Sequence, residues 1–201
     1  LITVEQYTSQ SLPETNQEEK TPAKPRRGSF WIDTLETIIM ALLLFLAINA
    51  VSSRVRVENI SMKPTLQPGY LILVNKLAYK LGAPKHGDII VFDYKGAGQE
   101  EYIKRSIGVP GDQVVVEHGI VSVNGHPLTE PYLAELPRYS GSWSVPEDSY
   151  FVLGDNRNNS SDSHQWGYVK SNELIGKAIL VYFPFNAVRS LVIPDLVQAA
   201  N

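Results

Sequence analysis

One stretch constrains this chain more than any other. From Ile38 to Val51 it reads IIMALLLFLAINAV without a charge, and the surrounding apolar run extends from Phe30 to Val51. A bilayer core takes about 20 helical residues, and Trp31–Val51 is that long. Asp33 and Glu36 fall in the first turns, within reach of headgroups, where a charge costs little. No small-residue cleavage pattern follows; Ser52-Ser53-Arg54-Val55-Arg56 comes instead. The sequence therefore predicts a transmembrane helix over residues 30–52 rather than a buried core helix or a cleaved leader. Lys20, Lys24, Arg26 and Arg27 precede the span, while only Arg54 and Arg56 follow closely. That bias predicts a single pass with a cytoplasmic N-terminus and an external body, and Trp31 suits an interfacial anchor.

The rest of the composition sets bounds. In 201 residues, 43% are hydrophobic and 19% charged, enough for a packed core in one domain of ordinary size. A net charge of −3 disfavours a broad nucleic-acid-binding surface. The absence of cysteine removes disulfides, thiolate metal sites and cysteine nucleophiles together. Residues 1–29, rich in Thr, Gln, Glu, Lys and Pro, read as a disordered cytoplasmic tail. The body, 53–201, reads as mostly β. Strand-like runs recur at 54–57, 70–74, 88–92, 102–108, 113–117, 120–123, 150–153 and 178–182 between Gly, Pro and Asn. Glu117-His118-Gly119 and Asn124-Gly125 are turn signals that predict a hairpin between them. Helical signals are confined to 75–81 and 171–174, and no strand–helix alternation suggests a parallel sheet.

Few residues carry chemistry. His86, His118, His126 and His164 all read as surface-loop histidines, without metal-ligand spacing. No Gly-x-Ser-x-Gly elbow is present, and Ser140-Gly141-Ser142 reads as a polar loop. Lys104 is different, because it interrupts a strand-like segment. Alternation puts Tyr102 and Lys104 on one face and Ile103 and Arg105 on the other, so either buried face carries a cation inward. The plain reading is an edge strand with a snorkelling lysine. The sharper one is a general base, since desolvation turns an ordinary lysine, pKa about 10.4, into a neutral amine able to deprotonate a serine. The polar run 154–163, GDNRNNSSDS, reads as a solvated loop; Asp155 and Asp162 suggest a metal loop but lack the calcium-loop pattern.

Taken together, SMKPTL, GDIIVF, YIKRSIGVPGD and GDNRNNSSDS, in that order after one N-terminal span, resemble the type I signal (leader) peptidases over about 55–183. The resemblance implies a mostly β fold: an antiparallel β-sheet catalytic domain with a smaller inserted β portion, here 113–149. It implies Ser61 as nucleophile, Lys104 as general base and Ser160 as the hydroxyl that orients the lysine. Arg105, Asp155 and Asp162 match structural polar positions holding the last loop against the lysine strand. The Ser61 backbone N–H, with the Asn59 amide, would form the oxyanion hole. Asn158 stands where Asp is more usual, and His164 where Arg is common.

Neither a cofactor nor a metal is implied. The implied substrates are preproteins with small residues at −1 and −3 of the cut, bound as an added strand over shallow pockets lined by Val57, Met62, Tyr102 and Ile103. The implied setting is membrane lipid, plasma or thylakoid, with no nucleic-acid partner. Two alternatives stand beside this reading: a non-catalytic membrane-tethered β binding module, and a self-cleaving Ser-Lys protease of the SOS-repressor type.

Overall fold

The structure, a computed structural model, describes residues 27–94 and 101–192. The expected disordered tail therefore lies outside the described residues, except for its last three. The chain divides into two compact units, Leu1–Leu42 and Leu43–Asn201.

A helix, α1 (Arg27–Val51), forms the long apolar run, starting three residues earlier than the span read from sequence. From Phe30 on, none of its side chains is buried in protein, and no polar stripe interrupts residues 38–48. A helix apolar on all sides is stable in lipid or in a core, not in water. Its two threonine hydroxyls turn inward along the backbone: Thr34 Oγ1 donates to the Phe30 carbonyl at 2.7 Å and Thr37 Oγ1 to that of Asp33 at 2.8 Å. That leaves them satisfied without water.

Strands dominate the second unit. In chain order they are β1 (Ser52–Arg56), β2 (Leu71–Asn75), β3 (Ile89–Asp93), β4 (Glu101–Gly108), β5 (Gln113–Glu117), β6 (Ile120–Val123), β7 (His126–Pro127), β8 (Gly141–Ser144), β9 (Ser149–Leu153), β10 (Val169–Lys170), β11 (Leu174–Phe183) and β12 (Arg189–Ser190). Two one-turn helices, α2 (Ala78–Leu81) and α3 (Ser163–Trp166), interrupt them. The larger sheet runs β1-β2-β11-β3-β4-β9-β10, with β12 also on β11; the smaller runs β7-β6-β5-β8. Every pairing is antiparallel.

Each turn signal closes its own hairpin. His118-Gly119 joins β5 to β6 and Asn124-Gly125 joins β6 to β7, with positive φ at both residues of each pair. That is the backbone a two-residue hairpin turn requires. The Ser140–Ser142 segment is not a polar loop. Residues 141–144 pair with β5, where the Gln113 side chain bonds Ser142 and Ser144, and Trp143 packs 4.9 Å from the Phe151 ring. One half-buried aromatic supplies the apolar face that this short strand otherwise lacks.

Three apolar clusters hold the unit. One unites Val55, Val57, Met62 and Leu66 with β2, β3 and β11. A second packs Val114, Val116, Val121 and Val123 of the small sheet against Ile107, Phe151 and Leu153 of the large one. The third gathers Ile90, Phe92, Tyr150, Val152 and Val169. Because clusters lie on both faces of β3 and β4, alternation from Lys104 onward buries both faces, and both cations go inward.

Candidate active site

After β1 the chain turns sharply at Ile60–Leu66. Met62 and Leu66 plug into the first core cluster, at 1% and 0% exposure, and the Leu66 N–H bonds the Met62 carbonyl at 2.8 Å. Two apolar anchors thus fix the turn and leave Ser61 half-exposed at its start. The Ser61 carbonyl accepts the Asn156 N–H at 2.9 Å, and Asn156 Nδ2 donates to the Ile60 carbonyl at 3.2 Å. The serine turn is therefore tied by its backbone to the 154–163 loop.

Lys104 comes from β4, opposite Ile90 of β3. Its Nζ lies 2.7 Å from Ser61 Oγ, and the residue is 3% exposed. Desolvation pushes the amine down from 10.5 to about 8, against the opposing pull of the Asp162 and then the Asp155 carboxylate. While protonated, the amine donates to Oγ; once neutral, its lone pair accepts the serine O–H.

Contrary to the solvated reading, the loop after β9 is buried. Asp155 and Arg157 are each 1% exposed and Asp162 is 0% exposed. Arg105 grips Asp155 with two hydrogen bonds, at 2.8 and 2.7 Å, donates a third to the Gly87 carbonyl, and lies 3.8 Å over the Tyr132 ring. Arg157 grips Glu130 in the same way and donates to the Gly154 carbonyl at 3.2 Å. Asp162 accepts the Gly154 N–H at 2.9 Å and His164 Nδ1 at 2.6 Å. Each buried charge thus has a geometric partner, which is the condition for burying it.

Gly154 is the close approach in this assembly. A Cβ there would fall on Ser160 Oγ and 2.5 Å from the Ser61 carbonyl oxygen. Ser160 itself is buried, and among the described residues its hydroxyl makes no hydrogen bond, to Lys104 or to any other group.

Beside Ser61 and Lys104 opens a groove of about 510 Å³, lined by residues 54–59, Met62 and Glu101–Ile103. Val57, Met62, Tyr102, Ile103 and the exposed Asn59 are all brought to it. β1 is an edge strand, and the pairing of β4 with β9 begins only at Arg105, so two strand edges border the site.

Two histidines read as surface loops are not. His164 pairs with Asp162, its side chain 14% exposed and its ring stacked 4.0 Å from that of Tyr139. His86, 15% exposed, bonds Asp112 at 2.7 Å. Asn158 accepts the Arg138 N–H and donates to the Leu136 carbonyl and Glu135. Glu130, Tyr132, Tyr139 and Arg157 went unread because their partners are distant in sequence; a buried Arg in a polar run leaves no periodic signal. Among the described residues, no group of acids and histidines is placed to hold a metal ion.

A serine hydroxyl against a partly neutral, desolvated amine is equipped for acyl transfer, the chemistry of a serine hydrolase. Comparison with known proteins narrows that class. Residues 31–183 match the family model described as signal peptidase, peptidase S26. A probable signal peptidase I-2 of Synechocystis sp. is 38% identical over 88% of this chain and 83% of its own. A signal peptidase I of Leptolyngbya laminosa is 38% identical, covering 89% and 93%, and one of Bacillus caldolyticus 39% identical, covering 82% and 96%. The chain belongs to the signal peptidase family, peptidase S26, and is an enzyme of the signal peptidase I class. Membership removes the non-catalytic module and the self-cleaving repressor as readings.

Proposed function

We propose that this chain is a membrane-bound endopeptidase that removes signal peptides from preproteins with Ser61 as nucleophile and Lys104 as general base. The observation that carries the reading is the 2.7 Å contact between Lys104 Nζ and Ser61 Oγ, with the amine buried. Neutral Lys104 takes the hydroxyl proton as Oγ attacks the scissile carbonyl. The resulting ammonium returns that proton to the leaving amine. Water then repeats the cycle on the acyl-enzyme. The developing oxyanion is met by the Ser61 N–H, with the Asn59 amide as second donor. Ser160, lodged against Gly154, turns its unpaired hydroxyl to the lysine when the site is engaged, as a buried hydroxyl left unbonded costs about 1–3 kcal/mol.

An extended peptide adds between the edges of β1 and residues 101–104, using main-chain hydrogen bonds. Val57 and Met62, 4% and 1% exposed, already fill the core beneath the groove, so its pockets are shallow and take small residues at −1 and −3. Anchoring by α1 in a plasma or thylakoid membrane, N-terminus cytoplasmic, raises the local concentration of membrane-held substrate on the opposite side.

The test is preprotein processing in membranes carrying full-length Ser61→Ala, Lys104→Ala or Lys104→Arg. Each variant should lose cleavage. Cleavage retained by any of them contradicts the assignment.

A further inference from the structure

Of the carboxylates that act on Lys104, the two differ in how they are neutralised. Asp155 is spent on a bidentate pair with Arg105, both side chains being 2% exposed or less. Asp162 is 0% exposed and, among the described residues, has no such partner. Its Oδ2 takes the Gly154 N–H and its Oδ1 takes His164, through Nδ1 at 2.6 Å and the backbone N–H at 3.3 Å. Asp162 also exerts the larger of the two pulls on the amine. The His164 ring is held flat on Tyr139, interplanar angle 7°, which fixes the direction of Nδ1–H.

We propose that His164, shelved on Tyr139, is a positioning residue for the base: it holds the Asp162 carboxylate and limits how much of its charge reaches Lys104. The inference rests on the Ser61–Lys104 reading and extends it beyond the pair itself. Acting through Asp162, His164 has two effects. The grip on Gly154 N–H keeps in place the glycine that packs on Ser160 and on the Ser61 carbonyl. The donated proton also draws carboxylate charge away from the amine, which favours the neutral form. The other groups facing this network are accounted for. Arg157 and Glu130, which act on Tyr139, neutralise each other in a bidentate pair. Around Lys104 stand Ser61, the paired Arg105 and Asp155, and the Tyr102 ring at 5.5 Å.

The experiment is the pH profile of kcat/KM for a signal-peptide substrate, using the full chain in detergent. His164→Ala and Tyr139→Leu should move the rising limb to higher pH. Activity at pH 7 then falls about three- to tenfold while the alkaline plateau stays, because raising the amine's midpoint by one pH unit cuts its neutral fraction about tenfold. His164→Asn, which keeps a donor where Nδ1 stood, should restore the wild-type limb. His164→Arg, a fixed cation able to stack on Tyr139, should move the limb to lower pH. His126→Ala, in an exposed hairpin, serves as the control with an unmoved limb. The proposal is overturned by an unmoved limb in His164→Ala, by a loss uniform across pH, or by Ala and Arg variants moving the limb in the same direction. If His164→Ala does not fold, the Asn and Arg variants decide by the same signs. A wild-type profile with no rising limb strikes the dyad reading instead.

Discussion

Lys104 is held at a cost that can be measured. An amine lowered from 10.5 to about 8 in the folded state binds fewer protons there than in the unfolded chain between those values. Stability therefore rises with pH across that window, and below pH 8 the full penalty applies, about 3 kcal/mol. Lys104→Met should raise the unfolding free energy at pH 7 by an amount of that order, with the gain vanishing toward pH 10–11; urea titrations at both ends check it. Gly154 is a second position where one atom matters. Gly154→Ala places a methyl group on Ser160 Oγ and against the Ser61 carbonyl, so cleavage should fall by at least about a hundredfold with the far-UV spectrum unchanged. Lys104 stood out by its own pattern, a cation inside a strand-like segment, whereas Ser61 entered only through the resemblance of its motif. His164 was not, because its meaning lies in Tyr139 and in the burial of Asp162, neither of which a one-dimensional pattern shows.

At the scale of elements, β4 and the 154–163 loop are joined by Arg105 and Asp155. Removing one member of a buried pair strands the other's charge, at about 3–5 kcal/mol, while replacing both is milder. Arg105→Met and Asp155→Leu should each destabilise by that amount, and the double variant by clearly less than the sum. Additive losses in a double-mutant cycle would show that the pair does not join the two elements. All eight strand-like runs of the sequence correspond to strands, since each combines β-branched or aromatic residues with a burial pattern. What escaped were the short strands β7, β8, β10 and β12, of two to four residues, whose pairing is fixed by neighbours rather than by their own composition. The loop after β9 was misread for a related reason: polar residues signal solvent only when they have no buried partners, and here Arg105, Glu130 and His164 supply them.

For the molecule as a whole, α1 is the one described helix long and apolar enough to cross a membrane. Its charge asymmetry predicts that the β unit lies on the non-cytoplasmic side. The lack of cysteine makes that simple to test. The thiol introduced by Thr3→Cys should resist a membrane-impermeant thiol reagent in intact cells, and that introduced by His126→Cys, in the exposed hairpin, should react. The reverse labelling would place the groove on the wrong side for exported preproteins. The order of motifs made the family readable from sequence, and the apolar run made the candidate span readable. The groove was less so, because it is bordered by two strand edges that the chain brings together only through β2, β11 and β3.

Covalent labelling of Ser61 as a function of pH tests the central claim most directly. Full-length protein is treated with a serine-reactive acylating inhibitor, and the adduct is mapped and timed by mass spectrometry. Acylation should fall on Ser61, rise through a single midpoint near pH 8, and be lost in Lys104→Ala. An adduct elsewhere, or a Ser61 adduct that forms equally fast without Lys104, would contradict it.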